Sequence, residues 1–169
     1  MTIIEFLSIV ETTFPYIYSL LFVVSIATFK RLTSLSIIVV LLALFEFTSN
    51  EITYPFLDLV NDKSIAYAYR LSAWAGFWML YVYAQIVLLQ KAHIWLNVTK
   101  GKELVFVQWG LLSIILLFMV SLIDRIFIQN SVLDILYRLG IPALNLSIAG
   151  FLLFAMLKQV EFKKWKTQS

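Results

Sequence analysis

The sequence predicts an all-α integral membrane protein, a single bundle of about five transmembrane helices with the N-terminus outside and the C-terminus cytoplasmic. Three observations predict it. Of 169 residues, 62% are hydrophobic and only 14% charged, with a mean hydropathy of +0.90, whereas a soluble domain carries about a quarter charged residues. The apolar residues form continuous runs of helix-spanning length, unlike the short alternating segments of a membrane β-barrel. Lysines and arginines gather in alternate connections.

The predicted helices cover 13–29, 34–53, 65–90, 104–123 and 133–157. The segment before the first, MTIIEFLSIVE, has Glu5 and Glu11 where a secretory signal has positive charge, so it reads as mature protein. The first helix runs to Lys30 and Arg31. The third and fifth exceed the roughly 20 residues needed to span, so they tilt or project. With short connections, no internal repeat and no low-complexity tract, residues 1–169 read as one polytopic domain.

Orientation follows from the basic residues. Lys30, Arg31, Lys91, Lys100, Lys102, Lys158, Lys163, Lys164 and Lys166 all fall on one side of this threading. The other side carries Glu5, Glu11, Glu51, Asp58 and Asp62, with Lys63 and Arg125 as its loop bases. The net charge of +3 is thus a topology signal with some attraction to anionic headgroups. The expected location is a plasma membrane, the inner membrane in a bacterium. Membrane lipids and a second copy or other membrane subunits are the expected partners. Nucleic acid is excluded as a partner because no basic recognition element exists to carry it.

Several chemistries are excluded as well. There is no cysteine and one histidine, His93, read as an interfacial loop residue. Bis-histidine haem is therefore impossible, and a zinc site of the usual His/Cys kind is not expected from one histidine and no cysteine. Every lysine lies at a helix end or in a loop, so no Schiff-base retinal is expected. Phosphate-loop, nucleophile-elbow and zinc-hydrolase motifs are missing, and no cofactor is expected. Enzyme activity would have to rest on carboxylates alone.

The informative residues are the polar ones inside the helices, because ionisable groups at membrane depth are costly and face a bundle interior. In LALFEFTSNEITY the second helix carries Glu46, with Asn50 close behind. Counting the helical rise puts Glu46 roughly 20 Å from the cytoplasmic end and Arg70 roughly 7 Å below the outer boundary. Those depths nearly coincide in a core of about 30 Å, so an ion pair between them is expected.

On the third helix, Tyr67, Arg70, Trp74, Trp78, Tyr81 and Gln85 share one face, with Ser72 and Gly76 opposite for close helix contact. The stripe reads either as aromatic packing or as a wall facing a ligand or ion. A glutamine as deep as Gln85 needs partners that hydrocarbon does not supply. Helix five places Asp134, Arg138 and Asn145 on one face, with a kink expected at Pro142, and helix four ends on Asp124.

Glu46, Arg70, Asp124, Arg125, Asp134 and Arg138 can balance in charge, either as a structural ion-pair layer or as a site open to the outside that binds a small polar or zwitterionic ligand or passes protons. The expected function is a ligand- or ion-handling module in transport, conduction or sensing, acting as a homo-oligomer or subunit. The alternatives are an assembly subunit without its own site and, third, an intramembrane enzyme using carboxylates.

Overall fold

The helix ends are where the structure departs most from the sequence. The computed structural model describes residues 3–30, 32–128 and 131–168, with side chains except at 3–11, 50, 54, 59, 131, 134 and 161–168. Five helices result: α1 Ile3–Phe29, α2 Ser34–Asn61, α3 Tyr67–Trp95, α4 Lys102–Ile123 and α5 Ser131–Gln168. A π-helical turn, Asp124–Ile128, continues α4. Among the described residues 90% are helical and none is in a strand, and all five helices contain a stretch long and apolar enough to cross a membrane.

α2 overruns its predicted end at residue 53. Pro55 removes one backbone N–H but does not stop the helix, which continues to Asn61. Hydroxyls bond back to the helix just before it: Ser49 donates to the Glu46 carbonyl at 2.9 Å and Thr53 to the Ser49 carbonyl at 2.7 Å. α5 likewise runs through Pro142 as one helix.

The connections on the α1–α2 and α3–α4 side are tightly capped. Thr33 and Ser36 form a reciprocal capping box at the start of α2. The Ser36 N–H donates to Thr33 Oγ1 at 3.1 Å, and the Thr33 N–H donates to Ser36 Oγ at 3.3 Å. Ser36 Oγ also lies 2.8 Å from Ser25 Oγ of α1, and both serines are fully buried. α3 ends in a Schellman motif: Asn97 takes a left-handed φ of 51°, its N–H donates to Ile94, and the Val98 N–H donates to His93.

The helices pack in chain order around a ring, and α5 closes back on α1, while α2 also reaches across to α4 and α5. Near the capped end the ring is filled solid by Ile38, Val39, Leu89, Val107 and Leu152, which have no exposed surface. α4 and α5 approach closely where Gly110 faces Ile148. The expected close contact at Ser72 and Gly76 does not form. Ser72 is exposed, and a Cβ on Gly76 would meet nothing within 4 Å.

Candidate functional site

Away from the solid end, the ring encloses a cavity of about 390 Å³ to which all five helices contribute. Its wall contains Glu46 of α2, Trp74, Trp78, Tyr81 and Gln85 of α3, and Asn145 of α5. All six are candidates from the sequence, and the structure brings them together. α3 can present four of them because the spacing of three and four residues keeps them on one helical face.

The α3 rings form a continuous aromatic cluster. Trp78 makes edge contacts with Trp74, Phe77 and Tyr81 at centroid distances of 5.6, 5.3 and 5.5 Å. The Tyr81 hydroxyl ties this cluster to α2. It donates to the Phe45 carbonyl at 2.5 Å and shares a hydrogen bond of 2.6 Å with the Thr48 hydroxyl. Tyr81 is thus held against α2 at Phe45, the residue next to Glu46.

Some polar groups in the wall make no hydrogen bond among the described residues. Gln85 is only 8% exposed, Tyr18 only 2%, and neither side chain has a hydrogen-bond partner among the described residues. The same holds for the half-buried amide of Asn145. The Trp78 indole N–H is buried without a partner among them. A native core leaves few fully buried groups like the Trp78 indole N–H unpartnered, because each costs about 1–3 kcal/mol when no hydrogen bond replaces water.

The expected Glu46–Arg70 pair does not form. Arg70 Nη1 donates to the Val60 carbonyl at 2.5 Å, and its guanidinium lies 6.0 Å from the Tyr67 ring centroid. Val60 is about 21 Å along α2 from Glu46. The cause is the overrun of α2. Because the helix ends at Asn61 instead of near 53, α3 starts level with that later end, and Arg70 caps the Val60 carbonyl in its last turn. Tyr81, far down α3, takes the place beside Glu46.

The other predicted charges also lie outside the wall. Asp124 is 2% exposed within the π-helical turn, Arg125 stacks 5.2 Å from the Tyr137 ring centroid, and Arg138 is exposed. The side chains of Asn50 and Asp134 lie outside the described residues.

Two features are invisible to the sequence reading. α1 supplies Tyr18 and Thr12 to the wall, although no residue of that helix is a sequence candidate. His93, expected in a loop, instead sits in the last turn of α3 at 1% exposure. Its Nδ1 lies 2.7 Å from the Leu89 carbonyl and its Nε2 2.9 Å from Ser34 Oγ, which also accepts the Gly101 N–H at 3.2 Å. A spacing of four residues within one helix gives the first contact, but the second joins α2 to α3 and leaves no local signal.

No group of three potential metal ligands occurs among the described residues. Comparison with family models, curated proteins and solved structures finds no match.

Proposed function

We infer that this chain is a membrane-embedded module that binds a small ligand in the cavity at the centre of its helix ring. The single observation that carries the reading is the set of polar side chains, Tyr18, Gln85 and Asn145, that line the cavity with Glu46 and make no hydrogen bond among the described residues. The volume falls within the range of small-molecule pockets, about 300–1,000 Å³, and the mixture of aromatic wall and few polar groups is of the same kind.

Membrane residence is supported by outward faces that carry Leu20, Leu44, Leu80, Leu116 and Phe154 in exposed positions. The lysine and arginine pattern then orients the cavity toward the outer leaflet, with the solid, capped end facing the cytoplasm.

Native mass spectrometry of the protein purified in mild detergent tests this reading whatever the chemical class of the ligand. The wild type should retain a small molecule that is released on activation. Asn145→Trp, which fills the cavity with an indole, should not retain it. Identical spectra for both proteins would overturn the reading.

A further inference from the structure

We propose that the ligand is a neutral molecule whose head carries a hydrogen-bond donor beside an acceptor, an amide or lactam, on a flat apolar body. This rests on the ligand-binding reading above and narrows it to one chemical class.

Depth along the helices sets where the head lies. Ser25 of α1 bonds Ser36, and His93 of α3 bonds Ser34, so both mark the first turn of α2. Tyr18 precedes Ser25 by seven residues and Gln85 precedes His93 by eight. Both therefore stand roughly 10–12 Å from that capped end. Asn145 of α5 lies one turn before Ile148, whose side chain meets Gly110. Three neutral polar groups from three helices thus line the floor of the cavity, while Trp74 lines it roughly 16 Å farther along α3.

Most other polar groups of the wall are committed. Ser49 and Thr53 donate to carbonyls of their own helix, and Tyr81 donates to the Phe45 carbonyl. Thr12, Glu46 and Tyr137 hold interactions of their own. Trp78 offers its ring, since its nitrogen is fully buried. Tyr18, Gln85 and Asn145 line the same cavity and make no hydrogen bond among the described residues.

The chemistry of those three decides the class. Each amide offers an acceptor oxygen and two N–H donors, and a phenol both donates and accepts. A cation brings donors alone and would leave the amide N–H groups unmet. An anion brings acceptors alone, and no lysine, arginine or histidine lines the cavity among the described residues to offset its charge. A wholly apolar ligand would leave every one of these groups without a hydrogen bond. An amide or lactam head meets donors and acceptors together. Phe45, Trp74, Trp78 and Phe118 give the flat body apolar ring surface to cover.

The test uses the full chain in nanodiscs of zwitterionic phosphatidylcholine, with empty nanodiscs as the blank. Four probes of similar shape are titrated, read by tryptophan emission and by thermal midpoint: 2-phenylacetamide, benzyl methyl ketone, phenylacetate and phenethylammonium. The ketone keeps the carbonyl and lacks the N–H. The amide should bind about tenfold or more tightly than each of the others. Gln85→Leu should narrow that preference over the ketone, while Asn145→Trp should abolish binding of all four.

Equal or tighter binding of the ketone, the anion or the cation would overturn the assignment to a neutral amide. So would an unchanged preference in Gln85→Leu. The ligand-binding reading would survive either result if Asn145→Trp still abolished binding. Absence of binding by 2-phenylacetamide would also overturn the assignment, and the native spectra would then show separately whether the cavity holds anything. Should Gln85→Leu fail to fold, the ranking of the four probes on the wild type decides alone.

Discussion

Removing one hydroxyl, Ser34→Ala, tests how the closed end of the ring is held. The His93 Nδ1 faces a carbonyl, which only accepts, so Nδ1 carries a proton. In the neutral ring Nε2 then accepts the Ser34 hydroxyl, whose oxygen accepts the Gly101 N–H. That tautomer follows from the hydrogen-bond network. Alanine at 34 strands both a ring nitrogen of a residue with 1% exposure and a half-buried backbone N–H. Each buried unsatisfied group costs about 1–3 kcal/mol, and Gly101 belongs at the low end. The expected loss is about 2–4 kcal/mol, a large share of the roughly 5–15 kcal/mol that stabilises a typical protein.

Equilibrium unfolding in mild detergent measures that loss, with Ser147→Ala as the reference. Ser147 is exposed and its hydroxyl only returns to the Ala143 carbonyl at 2.7 Å, so its loss should stay within about 0.5 kcal/mol. The double variant Ser34→Ala/His93→Leu should lose less than the two single losses added, because a leucine leaves no nitrogen unpaired. A Ser34→Ala variant as stable as Ser147→Ala would refute the reasoning, as would strict additivity.

Two further outcomes follow from packing. Gly110→Ala should destabilise by up to about 2 kcal/mol. Its Cβ would lie 2.8 and 2.9 Å from atoms of buried Ile148, and overpacking of about 1–3 kcal/mol exceeds the roughly 1 kcal/mol gained in helix propensity. Gly76→Ala, with open space around it, should instead stabilise by up to about 1 kcal/mol in the same unfolding assay. Gln85→Leu should raise the unfolding midpoint of the ligand-free protein while lowering ligand retention in native spectra, since it exchanges an unpartnered amide for apolar surface.

The part of this fold legible in the sequence is the part written in short-range periodicity. Trp74, Trp78, Tyr81 and Gln85 share a face because their spacing says so, and the structure turns that face toward Glu46 and Asn145. Depth is less legible. The predicted second helix ends at residue 53, yet the observed one goes on through Pro55, which removes only one hydrogen bond, to Asn61. That displacement moves Arg70 from Glu46 to Val60. Contacts between helices leave no mark at all: nothing near Tyr18 predicts that α1 closes the ring against α5, and nothing near His93 predicts Ser34.

The most direct test of a reachable central cavity is the reactivity of a single introduced cysteine. The chain has none of its own, so Gln85→Cys carries one thiol in the cavity wall and Val107→Cys one in the solid core. A small membrane-impermeant thiol reagent added on the outer side of intact membranes should modify Gln85→Cys and leave Val107→Cys untouched. Protection of Gln85→Cys equal to that of Val107→Cys in the folded protein would contradict a cavity open to ligand.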